Sequence, residues 1–323
     1  VRVRIHVEGP RHHGVVRHAG HLAGLLRARG IAVVDDGAAD VTHAQFTDGL
    51  WGHDIAEAAT AFERWSTSIA GPLVVTLHDL PGADPDRARD ARRRAGYARV
   101  TACCDTVVVS SDHEAARAVP LGATAARVIE LPLPASLPVP AGTVAVRSPA
   151  TLGVVGFVYP GKGHADVIAA AARRDPPARV VCLGAASPGH DPLVGELRAR
   201  AEALGVELVV SGPQSDTGLA RRMAGVTVPV VPARLVSASA SLLTWLAQGR
   251  RPLVADTDYS REIVRRHPGA VRLYHDDAEL DALVDAGIRR PARARRRRPP
   301  RWADVGGLHA ALYEQVLDHS RAQ

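Results

Sequence analysis

Residues 156 to 166 read GFVYPGKGHAD, and Lys162 within them is the only lysine among the 40 cationic side chains of the chain. Gly156, four further residues, Gly161 and Lys162 reproduce most of a phosphate-loop pattern, G-x-x-x-x-G-K, in which a glycine-rich turn lets backbone N–H groups and an ammonium approach phosphate oxygens. A nucleotide-hydrolysing loop also needs a hydroxyl after its lysine to hold Mg²⁺, and here that position is Gly163; Pro160 removes one of the N–H groups as well. The triphosphate reading is therefore disfavoured. A lysine at a strand-to-helix turn, near the positive end of a helix dipole, still suits a diphosphate group.

Other residues invite chemistry with less force. His78 ends the apolar stretch PLVVTLHD and is followed by LPG, which breaks the chain where a strand end would face a ligand; a histidine there also serves as a plain structural residue. His12, His13, His18 and His21 cluster in sequence, but no Cys or carboxylate completes a metal set. Asp84-Pro-Asp86 and Asp256-Thr-Asp258 match the Asp-x-Asp of metal-dependent transferases, yet both fall in turns, where aspartate is expected anyway. Cys103, Cys104 and Cys182 are odd in number, lack metal spacing and read as small buried hydrophobes.

These residues need elements to position them. At 323 residues the chain suits two domains. In the first half apolar strands (VRVRIHVE, IAVV, VTHAQF, PLVVTLHD, DTVVVSS, RVIELPL) alternate with helical segments at about 14–29, 53–68 and 86–102, the rhythm of a parallel, doubly wound sheet. Residues 132–150, PLPASLPVPAGTVAVRSPA, interrupt it with proline and mark a boundary. The second half repeats the rhythm from TLGVVGFV onward, with helices at about 163–174, 190–204, 238–248 and 259–266. We expect two Rossmann-like α/β domains, 1–140 and 150–288, facing a cleft, then an Arg-rich connector at 289–301 and a C-terminal helix at 302–323.

The formal net charge of +6 is local: RRPARARRRRPPR holds eight arginines, and the remaining 32 cationic side chains are outnumbered by 34 acidic ones. A nucleic-acid partner is not expected. The run reads as a solvated connector, with peripheral contact to an anionic membrane as the sharper alternative. No apolar run reaches the ~20 residues needed to span a bilayer, and the opening VRVRIHVEG alternates like a strand rather than a signal peptide, so a cytoplasmic protein is expected.

With these motifs in place, the sequence resembles the GT-B glycosyltransferases, specifically the retaining family 4 enzymes. VVGFVYPGKGHADVIAAAA resembles the opening of that family's second domain, which would make Lys162 the donor diphosphate ligand, with Gly156 and Gly163 beside it. GPQSDTGLARRMAGVTVPVVP and SASLLTWLAQGRRPLVADTDYSREIV resemble the segments around its donor-binding helix. In the first half, EGPRHHGVVRHAGHLAGLL resembles the Gly-rich turn, with the Gly14 amide near the donor phosphate, and VTLHDLPG the His-bearing strand end, with His78 at the transferred sugar. TVVVSSDHEAARA and RVIELPLP resemble the segments that follow.

The chain departs from that pattern twice. The arginine five or so residues before the lysine is absent, Phe157, Val158 and Tyr159 standing there, so Arg234 or Arg250 is the candidate substitute. The two glutamates of the family fall on Val236 and Thr244, leaving Ser237, Ser239, Ser241 and Thr244 as donor-binding candidates, with plain helix capping as the competing role of the serines. The resemblance implies a metal-independent, cofactor-free retaining transfer from a nucleoside diphosphate sugar to a carbohydrate or glycolipid, with His78 and Lys162 as the catalytic pair. Arg- and Ala-rich sequences of this kind resemble actinobacterial mannosyltransferases, which favours GDP-mannose, with UDP-glucose as the alternative. The missing glutamates leave a catalytically inactive sugar-nucleotide-binding protein as a rival; a GT-B-shaped epimerase lacks paired carboxylates here.

Overall fold

The structure is a computed structural model that describes residues 1–323 apart from 12, 83, 85, 139–148, 295–299 and 323. The chain forms two units, one of residues 1–132 with 302–323 and one of residues 133–301.

The first unit runs β1 (Arg2–Val7), α1 (Gly14–Arg27), β2 (Ala32–Val33), β3 (Val41–Phe46), α2 (Asp48–Trp51), α3 (Ile55–Ser66), β4 (Leu73–Leu77), α4 (Arg87–Ala102), β5 (Thr106–Val109), α5 (Asp112–Ala118) and β6 (Arg127–Val128). Its six strands are parallel in the order β2-β1-β3-β4-β5-β6. The central strands β3 and β4 are buried along their whole length, as parallel strands covered on both faces must be. On one face Phe46, Val75, Leu77 and Val109 pack against Phe62 of α3 and Tyr97 of α4. On the other, Val3, Val41, Val74 and Val108 meet Leu22 and Leu26 of α1.

The second unit runs β7 (Thr151–Val155), α6 (His164–Ala172), β8 (Arg179–Leu183), α7 (Asp191–Ala203), β9 (Leu208–Val210), α8 (Asp216–Gly225), β10 (Val228–Val231), α9 (Ala240–Ala247), β11 (Leu253–Ala255), α10 (Asp258–Arg266), β12 (Arg272–Tyr274) and α11 (Asp277–Arg289). Its parallel order, β12-β11-β10-β7-β8-β9, reverses direction between β7 and β10, so the loops leaving these two strands flank the topological switch point. Helices α8 and α11 are additions to the elements expected from sequence; Ser215 and Asp276 cap them through side chains that accept from Gly218 N and Glu279 N.

The C-terminal helix, α12 (Val305–Ala322), belongs to the first unit: Val305, Leu312, Tyr313 and Val316 complete the α1 face of its sheet. Trp302 Nε1 donates to Leu131 O at 2.9 Å just ahead of it. The expected solvated connector is anchored at Ala294, which is buried and whose carbonyl accepts from Arg251 N at 2.8 Å; residues 295–299 of the arginine run lie outside the described residues. No helix among the described residues is long and apolar enough to cross a membrane.

Candidate functional site

In the second unit, β7 leads into the loop 156–163 before α6. Gly156, Gly161 and Gly163 all have positive φ, at +107°, +82° and +85°. Two close approaches fix the loop. A Cβ on Gly163 would lie 2.7 Å from Pro232 Cβ and 2.8 Å from its carbonyl oxygen, so the β7 and β10 exit loops touch there. A Cβ on Gly184 would lie 2.2 Å from Gly156 O, which shows how tightly the β8 exit backs the loop. Val158, fully buried, pins the loop by bridging to Ala186.

Held in this way, Lys162 is only 6 % exposed, and its Nζ donates to Ser241 Oγ at 2.9 Å in the first turn of α9. The ammonium also lies 5.6 Å from the ring centroid of Tyr159. Among the described residues it has no carboxylate partner. Burial accordingly lowers its pKa from 10.5 to about 8. A buried cation paired only with a hydroxyl is electrostatically incomplete, and an incoming anion completes it. Beside it His164, unremarked in the sequence, is buried with Nε2 unpartnered, its pKa pushed down to about 4 by burial and then by Lys162.

The serines divide in a way the sequence does not resolve. Ser239 is the N-cap of α9, its Oγ accepting from Leu242 N at 3.2 Å, and is buried, so it takes the capping role that competes with the expected phosphate contact. Ser241 is the one that meets Lys162, while Ser237 lies half-buried upstream of the cap. Thr244 donates to Ala240 O of its own helix at 2.8 Å. Arg250 is also corrected: it is buried, with its guanidinium donating to Met223 O at 2.7 Å and Val226 O at 2.6 Å, and so ties α8 rather than facing a ligand. Arg234 is exposed beyond β10, donating to His275 O at 3.1 Å, and remains the available arginine.

In the first unit, His78 follows β4 and is 8 % exposed. Its Nε2 lies 2.9 Å from Gln45 Oε1, Tyr97 OH donates to its carbonyl at 2.7 Å, and His18 sits edge-on at 5.4 Å. Burial lowers its pKa to about 4, against an opposing pull from Asp79, so the ring is neutral at neutral pH. Asp79 is the one non-glycine residue with positive φ among the described residues, at +52°, held by Thr47 Oγ1 and by Arg93, which donates to its carbonyl at 2.6 Å. Strain of this kind, supported from several sides, marks a strand end built to hold a side chain in place. Gly14 opens α1 with free space where a Cβ would stand.

Sequence reasoning misses His43 and Gln45, which lie two apart on buried β3 and therefore on one face. Two polar residues inside an otherwise apolar central strand are the available signal. The Asp-x-Asp pairs have local duties: Asp86 caps α4, Asp84 pairs with Arg89, and Asp256 pairs with Arg261. Of the histidine cluster, His12 lies outside the described residues and His13 caps α1; among the described residues no group of three His, Cys, Asp or Glu could hold a metal ion.

No family model and no curated protein sequence matches the chain. Solved structures do. Sucrose-phosphate synthase from Thermosynechococcus elongatus is 16 % identical with a TM-score of 0.76, covering 99 % of both chains. HepE from Anabaena, in complex with UDP-glucose, is 16 % identical at 0.71, covering 98 % of this chain and 95 % of its own. The lipopolysaccharide outer core galactosyltransferase WaaB is 12 % identical at 0.62, covering 98 % and 100 %. At such identities the likeness is one of fold, and with its two parallel six-stranded sheets the chain has the GT-B fold of two Rossmann-like domains.

Proposed function

We propose that the chain is a glycosyltransferase that takes a sugar from a nucleoside diphosphate sugar, with the second unit binding the donor and the first the acceptor. The buried Lys162, without a carboxylate partner among the described residues and hydrogen-bonded to Ser241 at the switch point, carries this reading. The diphosphate supplies the missing negative charge, and as the bond from the anomeric carbon to the phosphate oxygen breaks, the charge left on phosphate falls where Lys162 and the first turn of α9 already stand. Gly14 and Arg234 are the further phosphate candidates, and Gly156 and Gly163 let the backbone approach.

The acceptor hydroxyl attacks on the same face and passes its proton to the leaving phosphate, giving retention; no side chain serves as nucleophile. His78, neutral at working pH, hydrogen-bonds a sugar hydroxyl rather than acting as base. No metal is required. A uridine donor is favoured by HepE, whose structure holds UDP-glucose, and GDP-mannose by the resemblance to mannosyltransferases. Val236 and Thr244, where carboxylates would be expected, favour the second reading, a sugar-nucleotide-binding protein without turnover.

The test is thermal stabilisation and slow hydrolysis across a panel of nucleotide sugars, with UDP-glucose and GDP-mannose first, in EDTA. Saturable stabilisation with hydrolysis supports transfer. Binding without turnover supports the second reading, and loss of turnover in EDTA with recovery in Mn²⁺ overturns the metal-independent mechanism.

A further inference from the structure

A chain of buried polar side chains runs through the first unit behind His78. His78 Nε2 lies 2.9 Å from Gln45 Oε1, Gln45 Nε2 lies 3.3 Å from His43 Nε2, and His43 Nε2 lies 2.7 Å from Thr76 Oγ1. His43 Nδ1 then meets Tyr313 OH of α12 at 2.7 Å. Gln45, His43 and Tyr313 are fully buried and Thr76 nearly so. The register makes this possible, because Gln45 stands opposite Thr76 and His43 opposite Val74, on the face that α1 and α12 cover.

Each link limits the next. A carboxamide oxygen only accepts, so His78 carries its proton on Nε2 and leaves Nδ1 bare. In the orientation the structure gives it, the Gln45 carboxamide aims its oxygen at His78 and its N–H at His43 Nε2, which then accepts and leaves His43 Nδ1–H to donate to Tyr313 OH. His78 Nδ1 has no hydrogen-bond partner among the described residues. Buried polar groups that serve only packing are costly next to an apolar core, and this set ends on the ring of the strand-exit histidine.

We propose that Gln45 is a positioning residue that fixes the tautomer and orientation of His78, so that bare Nδ1 is the atom offered to a ligand hydroxyl, and that His43 and Tyr313 of the C-terminal helix hold Gln45 in that setting. The role of the ring towards a sugar hydroxyl rests on the transferase reading; the tautomer does not.

The experiment is long-range ¹H–¹⁵N NMR of histidine-labelled full chain at pH 7, with the His78 ring assigned from its loss in His78→Phe. The expected result is the pattern of a neutral ring protonated at Nε2. A His78 proton on Nδ1 in the unsubstituted protein overturns the proposal. Gln45→Leu is expected to convert the pattern to a mixture of tautomers, and an unchanged Nε2-protonated pattern overturns it equally. Should Gln45→Leu not fold, Gln45→Glu, which keeps the shape and an accepting oxygen, is expected to preserve the Nε2–H tautomer while raising the ring pKa; a Glu variant with both unchanged also overturns it. In transfer assays Gln45→Leu is expected to lower kcat by ~10–100-fold with donor KM altered much less, on the scale seen for partners that orient metal-ligating histidines, with partial rescue in Gln45→Glu. If the unsubstituted chain turns over no nucleotide sugar, the transferase reading fails while the tautomer measurement still decides the role of Gln45.

Discussion

The hydroxyl of Ser241 accepts a hydrogen bond from the Lys162 ammonium at 2.9 Å, joining the first turn of α9 to the loop that leaves β7. The pair sits where a charged group is poorly solvated, so folding and the proposed donor binding should respond oppositely to pH. The unfolded chain holds this proton up to its ordinary pKa of 10.5, whereas the folded chain releases it near 8. Burying the ammonium therefore costs about 3 kcal/mol below pH 8, and that cost is relieved as pH rises from 8 to 10.5. We expect stability of the ligand-free protein from this group to rise through that window while donor affinity falls, because diphosphate selects the charged form. Denaturation midpoints and nucleotide-sugar titrations at pH 7, 8.5 and 9.5 check both slopes; affinity that holds to pH 9.5 would remove Lys162 from the phosphate.

Substitution separates the same two effects. Lys162→Met is expected to raise the melting temperature of the ligand-free protein, since it removes an uncompensated buried charge, and to weaken donor binding by ~1.5–3 kcal/mol, the range for a lost charge-assisted hydrogen bond. Lys162→Arg restores this only in part, because a planar fork does not fit a point-charge site between Gly161 and Gly163. A methionine variant that binds donor like the parent would refute the assignment.

Ser239 and Ser241 give a paired test on one helix. Loss of the Ser239 cap costs ~0.5–2 kcal/mol of stability with or without ligand. Ser239→Ala should therefore lower the melting temperature and leave the affinity of each folded molecule unchanged. Ser241→Ala instead strips Lys162 of its one hydrogen-bond acceptor among the described residues and should push its pKa further down. The alkaline loss of donor affinity should then begin at lower pH. Equal behaviour of the two variants would contradict the division of roles.

The periodic content of the chain is legible in the residues alone: runs such as LVVTL and TLGVV form buried parallel strands, and a single lysine flanked by glycines marks the switch-point loop. What stays hidden depends on one-residue offsets and on distant partners. Ser239 rather than Ser237 or Ser241 caps α9 because the helix begins at Ala240, a boundary that periodicity does not resolve. Arg250 reads as a surface cation until α8 brings the Met223 and Val226 carbonyls to its guanidinium. The polar pair in β3 acquires meaning only when Tyr313, 270 residues away, arrives at His43.

Three glycines report on different demands. Gly163→Ala meets both a φ of +85° and the Pro232 backbone, and Gly184→Ala meets the Gly156 carbonyl, so each should cost at least ~1 kcal/mol of stability. Gly14 has open space and an ordinary φ, so Gly14→Ala should stabilise by ~0.4–1 kcal/mol through the unfolded chain. If the Gly14 amide approaches donor phosphate, that same variant loses turnover while its melting temperature rises. Unimpaired transfer by Gly14→Ala would take the turn after β1 out of the donor site.

Acid should unfold the first unit steeply. Burial lowers the pKa of His78 and His309 to about 4 and holds His18 and His43 well below the usual 6.5. These rings are neutral in the folded state and charged in the unfolded state once pH drops under 6.5. Stability from each is therefore complete above pH 6.5 and is lost as pH falls through its lowered folded-state pKa, about 4 for His78 and His309. His78 and His309, with folded-state pKa values of about 4, each contribute roughly 1.4 kcal/mol per pH unit in that window, so the pair removes roughly 3 kcal/mol per unit against a total domain stability of about 5–15 kcal/mol, and His18 and His43 act in the same direction. The first unit should consequently lose stability steeply as pH falls from about 6.5 toward 4, with an uptake of about two protons or more. Urea denaturation at half-unit steps from pH 7 to 4.5, followed by the fluorescence of Trp51 and Trp65 on α2 and α3, measures the slope. His309→Leu tests it further, since it removes one titrating ring whose Nε2 has no partner among the described residues. The variant should be less acid-sensitive by about one proton, and a parent slope of one proton or less would mean that the buried histidines are already charged.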